Sequence, residues 1–272
     1  MNRKNSNEER RSTNIKDPME QSPEAQYPRI KPYRKDFTYS YTEGVFPTIE
    51  LIEHAQETVQ RIIVSSKSVR NSGVALLKEK CCAFGIPFRE EDQTIARICP
   101  KGSVLAVGVF AKTKHNLDPA KHHAVFVNPS DMGNLGTLLR TAVAFGIFDA
   151  ALIEPAADYY DPKTIRASMG AFFRVRVQSY ASFAEYAAEA GSREFYPFML
   201  KGRDLDRYCP DTDSALLRPH SLIFGNESRG LDDSYLQIGT PLRIRHLDTV
   251  DSLNLTIAAG IAMQWHFQTF RG

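Results

Sequence analysis

Residues 124–145 read AVFVNPSDMGNLGTLLRTAVAF. The first four form a short apolar run of strand type. The last twelve place Leu135, Leu138, Leu139, Ala142 and Val143 on one side of a 3.6-residue period, as a helix over 134–145 requires. Between them Gly133 and Gly136 let the backbone turn tightly, and Asn134 is of the residue type that caps a helix start, the role expected of it here. A strand that empties through a polar turn into a helix is the repeating unit of parallel α/β proteins, whose helices cover both faces of the sheet. Arg140 shares the apolar side of this helix, where a guanidinium needs a polar cleft or a partner. The glycine spacing is G-x-x-G rather than G-x-G-x-x-G, and no acidic residue has the place a dinucleotide site needs. A nicotinamide enzyme is therefore not expected.

Outward from this unit the alternation continues in both directions. Toward the C-terminus, strands are expected at 150–153, 175–177, 195–200, 222–224 and 242–244. Helices are expected after Pro162, over 183–190 and from Ser252, where Leu253, Ile257, Ile261 and Trp265 fall at steps of four. Toward the N-terminus, helical patterns around 49–55, 74–81 and 94–98 interleave with strands at 61–65 and 104–110. A polar, aperiodic stretch around Pro119 reads as a linker. The resulting division is a flexible basic tail (1–40), a small α/β domain (41–115), a linker (116–122) and a larger parallel α/β domain (123–272).

Composition agrees with this division. The chain has 272 residues, 42% hydrophobic and 24% charged, enough apolar material for two cores and too much for a disordered protein. No window approaches the roughly 18 apolar residues of a membrane helix. The start, MNRKNSNEERRSTNIK, lacks the apolar run of a secretory signal, so export is not expected and a cytoplasmic protein is. Cys81, Cys82, Cys99 and Cys209 have neither disulfide density nor C-x-x-C spacing. His122 and His123 are adjacent, no H-x-x-x-H occurs, and His246 and His266 read as surface or interface residues, so no metal is expected. No G-x-S-x-G elbow supports a serine hydrolase.

Two further segments follow strands at the edge where parallel sheets bind ligands. LIFGNESRGL, residues 222–231, runs into a turn bounded by Gly225 and Gly230, with Glu227 placed to hold an arginine or a hydroxyl. RIRHLDTVDSLNLTIAA, residues 243–259, passes from a strand through an acidic loop to a helix start, where Asp251 or Ser252 is the expected cap and Asn254 lies in the first turn.

In this order and spacing, NPSDMGNLGTLLRTAVAFG, IFGNESRGL and VDSLNLTIAAGIAM resemble the three motifs of the SpoU (TrmH) family of RNA ribose 2′-O-methyltransferases, in the SPOUT superfamily. The resemblance covers residues 121–272. Residues 45–115 are similar, through RIIVS, GVALLKEKCCAFGIPF and VLAVGVF, to the L30e-like substrate-binding domain that many members carry in front. The resemblance implies a C-terminal sheet threaded into a trefoil knot, S-adenosylmethionine as cofactor and a homodimer built on the last helix. It implies that Asn134 and Arg140 are catalytic, with Glu227, Ser252 and Asn254 as the polar residues of motifs two and three. Phe224, Gly225, Gly230, Ile244 and Leu253 would hold the cofactor. Where the family often has proline, methionine and glycine after the last strand, this chain has Arg245, His246 and Asp248.

The implied substrate is structured RNA, ribosomal rather than transfer RNA; a transfer-RNA methyltransferase and a non-catalytic RNA-binding assembly factor are the alternatives. In-line transfer asks for alignment of a ribose hydroxyl and loss of its proton. Because a guanidinium stays protonated, Arg140 is expected to bind the adjacent phosphate and polarise the hydroxyl, with Asn134 and Asn254 fixing the ribose. The net charge of +2 divides unevenly. Residues 1–36 carry nine basic and six acidic side chains, 37–120 ten and nine, and 121–272 fifteen and seventeen. Attraction to RNA is accordingly assigned to the tail, the front domain and the pairs Arg174/Arg176 and Arg243/Arg245.

Overall fold

The structure, a computed structural model, describes residues 29–100, 102–210 and 218–270. Contacts divide the chain into Met1–Lys31 and Pro32–Gly272. The fold below is that of the second unit; of the first, only residues 29–31 are described. Most of the expected tail thus lies outside the described residues. Its last part is corrected: the Tyr33 hydroxyl donates to Asp158 Oδ2 at 2.5 Å, and Ser40 is fully buried in strand β1 (Tyr39–Tyr41).

The helices and strands after β1 are α1 (Val45–His54), β2 (Val59–Val64), α2 (Ser72–Phe84), β3 (Phe88–Glu90), α3 (Asp92–Ile98) and β4 (Ala106–Ala111). The strands form a four-stranded sheet in the order β1-β4-β2-β3, with β4 antiparallel to both neighbours and β2 parallel to β3. Asn71 caps α2 by accepting from the Val74 amide, and Gly85 ends the helix in the left-handed region. Ile52, Ile62, Val64, Val74, Leu77 and Cys81 make the core under this sheet. Burial pushes the thiols of Cys81 and Cys99 up to about 11 and about 12, so both stay protonated.

The second sheet is built from β5 (His123–Val127), β6 (Asp149–Ile153), β7 (Arg176–Tyr180), β8 (Glu194–Asp204), β9 (His220–Phe224) and β10 (Leu242–Arg243). Every pairing in it is parallel, in the order β10-β8-β9-β5-β6-β7. Strand β5 shows why: Ala124 and Phe126 enter one core while Val125 and Val127 enter the other, so both faces must be covered. Helices α4 (Met132–Ala144), α5 (Pro162–Ala167) and α7 (Leu255–Phe270) pack on the first face, and α6 (Phe183–Ala190) on the second. Strand β8 is longer than the expected 195–200 because its far half pairs with β10.

The two sheets share one hydrophobic cluster, in which Leu51 of α1 and Phe110 of β4 meet Tyr160 and Phe172. Arg174 clasps the buried Glu50 of α1 through two hydrogen bonds, at 2.8 and 3.1 Å. The arginine pairs expected to attract RNA are neutralised in the same way. Arg176 chelates the fully buried Asp149 at 2.6 and 2.7 Å, Arg243 is paired with Asp204, and Arg245 lies 3.5 Å from Asp206. Partners reached across the sheet could not be read from the local sequence. Among the described residues, no helix is long and apolar enough to cross a membrane.

Candidate active site

Because all six strands point the same way, their carboxyl ends open on one edge. On that edge lies a cavity of about 400 Å³. Its walls are Phe198 to Lys201 of β8, the loop Phe224 to Leu231 after β9, Arg243, Ile244 and His246 at and after β10, and Asp251, Ser252, Leu253 and Leu255 at the mouth of α7. The strand order turns back between β5 and β9, so the cavity sits beside the point where ligands bind in open α/β sheets.

The loop after β9 is fixed by its own polar groups. Asn226 and Gly230 exchange backbone hydrogen bonds at 2.9 and 3.3 Å. The Asn226 side chain accepts from the amides of Ser228 and Arg229 and donates to the Asn128 carbonyl at 2.7 Å, tying this loop to the end of β5. Gly230 turns at φ +67°. A Cβ on Gly225 would lie 2.1 Å from the Gly230 carbonyl carbon, so the loop closes on itself only because position 225 has no side chain.

Glu227 joins this loop to the start of α4. Its Oε2 accepts from the Ser130 hydroxyl at 2.9 Å and, more weakly, from the Ser130 amide; its Oε1 accepts from the Asn134 side-chain amide at 3.3 Å. Burial alone would raise the Glu227 carboxyl, but hydrogen bonds from its own amide, Ser130 and Asn134 outweigh it and hold the group below the usual carboxylate range. An ionised Glu227 is a weak base and a good clamp. Asn134 is not the helix cap. Asp131 caps α4, accepting from the Asn134 amide at 2.7 Å, which leaves the Asn134 side chain free to reach Glu227.

All five residues expected to hold a cofactor, Phe224, Gly225, Gly230, Ile244 and Leu253, line the cavity, as do Glu227 and Ser252. Asn134 borders it through Glu227. Arg140 is exposed on α4, two turns beyond, with no side-chain hydrogen bond or ion pair among the described residues. The expected cap of α7 is corrected: Asn254, and neither Asp251 nor Ser252, caps it, its Oδ1 accepting from the Thr256 amide at 2.9 Å and the Thr256 hydroxyl at 2.6 Å. The sequence reading missed Asn226, although asparagine after a strand and before a glycine-bounded turn is a signal of such self-bonded loops. His266 is also corrected: it is buried, against His122 and His220 at the opposite end of the sheet.

An all-parallel sheet with a cavity at its carboxyl edge, and a carboxylate-braced helix start beside it, defines a parallel α/β protein with a ligand-sized site at its strand ends. The chain belongs to the SpoU rRNA Methylase family, whose profile matches residues 121–264. It is 34% identical over 114 residues to a 23S rRNA (uridine(2479)-2′-O)-methyltransferase of Streptomyces viridochromogenes, covering 41% of this chain and 39% of that one. It is 30% identical over 134 residues to a 23S rRNA (guanosine(2553)-2′-O)-methyltransferase of Bacillus subtilis, covering 48% and 52%. The chain thus spans about half the length or less of these relatives. The crystal structure of an AdoMet-bound rRNA methyltransferase from Sinorhizobium meliloti superposes with a TM-score of 0.70 at 24% identity, over 85% of this chain and 87% of that one, and shares its fold.

Proposed function

We propose that this protein is an S-adenosylmethionine-dependent RNA methyltransferase that modifies a ribose 2′-hydroxyl of structured ribosomal RNA. The observation that carries the reading is the meeting of the three motifs at one cavity, with Glu227 bracing Asn134 beside it. The relatives' activities on ribosomal RNA support the substrate class.

The cavity residues fit the cofactor. Phe224, Ile244, Leu253 and Leu255 offer apolar walls to a base and ribose, and the bare backbone at Gly225 lets a ligand approach the main chain closely. The cofactor supplies an electrophilic sulfonium methyl. The chain's own residues align the acceptor: Asn134, oriented by Glu227, fixes the ribose, and Arg140 presents an unpaired guanidinium to the neighbouring phosphate. In this arrangement Asn134 would hold the acceptor hydroxyl, Arg140 would polarise it, and its proton would pass to solvent. Asn254 acts as the cap that sets α7, rather than as a contact to the ribose.

The finer parts of the reading rest on further features. Strand β9, late in the chain, lies between β5 and β8, the arrangement expected of a threaded, knotted C-terminal sheet. Ile257 and Ile261 of α7 are 58% and 39% exposed, and support a homodimer through that helix. The four-stranded front sheet serves as the module that grasps RNA shape, and the protein acts in the cytoplasm. Incubating the pure protein with methyl-labelled S-adenosylmethionine and total RNA, then mapping 2′-O-methyl sites, tests the reading. Label in one ribosomal nucleotide is expected. Cofactor binding without label in any RNA would make the protein an assembly factor instead, and label in transfer RNA alone would move the substrate.

A further inference from the structure

Three imidazoles meet at the amino-terminal edge of the six-stranded sheet, the end opposite the cavity. His122 immediately precedes β5, His220 opens β9, and His266 lies on α7. The parallel register pairs His123 with Ser221, and so brings His122 and His220 side by side; the His220 amide lies 3.4 Å from His122 Nδ1. The ring centroids are 4.0 Å apart for His122 and His220, 4.7 Å for His220 and His266, and 5.0 Å for His122 and His266. One nitrogen of each ring lies within 4.8 Å of the other two. His220 and His266 are 1% and 3% exposed, whereas His122 is half-buried and opens the group to solvent.

From these positions we propose that His122, His220 and His266 form a binding site for one divalent transition-metal ion of the zinc type, separate from the methyl-transfer site.

Three neutral imidazoles converging on one point are a ligand set for zinc and its neighbours, with the fourth position left to water. In a tetrahedral site with metal–nitrogen bonds of about 2.0–2.1 Å, ligand nitrogens stand about 3.3 Å apart. The rings therefore need to draw together by about 1.5 Å at most, within reach of side-chain rotation. No hydrogen bond of good geometry reaches either ring nitrogen of His220 among the described residues, and a buried polar atom in that state gains from a ligand bond. Arg193 works against the added charge, so micromolar rather than tighter affinity is expected. The competing account is a cluster of stacked rings, since Phe270 also lies 4.1 Å from His220, centroid to centroid.

An ion here would tie the starts of β5 and β9 to the last helix, so its effect is on stability rather than on the reaction. The test uses the tag-free full chain, stripped with a chelator and then titrated with cobalt(II) and with zinc(II). One ion per chain by elemental analysis, the visible bands of four-coordinate cobalt and a rise of several degrees in Tm with zinc are expected. His122→Gln, at the half-buried edge, should weaken cobalt binding at least tenfold, and the exposed His115→Gln should leave it unchanged. Absence of stoichiometric metal, with no cobalt bands and no Tm change in the wild type, would overturn the proposal, as would His122→Gln binding as tightly as the wild type. None of these readouts depends on methyl transfer, so the outcome is independent of the catalytic reading.

Discussion

The side-chain amide of Asn134 donates to Glu227 across 93 positions of sequence, at 3.3 Å, and so locks the first turn of α4 to the loop after β9. Neither residue is placed for its role by its own element alone. If the pair acts as a unit, Asn134→Ala and Glu227→Ala should each lower kcat by about 10- to 100-fold with little change in the KM for the cofactor. The double variant should then be no slower than the worse single one. Steady-state methyl transfer to RNA by the four proteins checks this.

The same carboxylate predicts a pH effect on stability. Because Glu227 is held below its ordinary value of 4.5 when folded, its contribution is complete above that value and is lost as pH falls through the lower folded value. The difference in Tm between wild type and Glu227→Gln should be constant from pH 8 to pH 6 and shrink below about 4.5. Thermal unfolding at a series of pH values measures it.

The two glycines of the loop should behave differently on becoming alanine. Gly225→Ala forces a Cβ to 2.1 Å from backbone, so the loop must open and cofactor affinity, read by calorimetry, should fall at least about tenfold. Gly230→Ala meets no atom within 4 Å but keeps a positive φ, and should cost only about 1–2 kcal/mol of stability.

Arginines divide into structural and free ones. Arg176→Ala strands the buried Asp149, which keeps the Asp118 amide as a donor, and should destabilise the fold by about 3 kcal/mol. Arg140→Lys should leave Tm unchanged and lower the methylation rate, since a planar fork cannot be replaced by a point charge. Full activity of Arg140→Lys would remove the guanidinium from the mechanism.

The exposed isoleucines of α7 test the assembly. Ile257→Asp, on a side chain that is 58% exposed, should halve the mass measured by light scattering, with little change in the secondary structure read by circular dichroism. A dimeric variant would place the interface elsewhere.

Much of this was legible in the sequence where local signals agree. The expected helix 183–190 matches the observed α6 to the residue, and the structure shows Ser182 capping it by accepting from the Glu185 amide. The five cavity-lining positions came with the family resemblance that the motifs carry. What escaped notice depended on distant partners. Asp131 and Asn134 are equally good caps by type, and only Glu227, elsewhere in the chain, decides between them. The paired arginines needed Asp149 and Asp204 brought alongside. His122, His220 and His266 have no motif spacing, because their grouping comes from strand register and helix packing. Strand β1 hid in a polar segment whose alternating tyrosines are its only mark.

The position of β9 has a consequence for how the molecule is made. As the chain leaves the ribosome, β5, β6 and β7 emerge first and β8 next, yet β8 has no place beside them until residues 220–224 arrive to fill the gap. The cavity loop follows β9 directly, so the site is among the last features to assemble. Until then two unpaired strand edges stand open, and a nascent or truncated chain that stops short of Phe224 should be prone to aggregate and unable to bind cofactor.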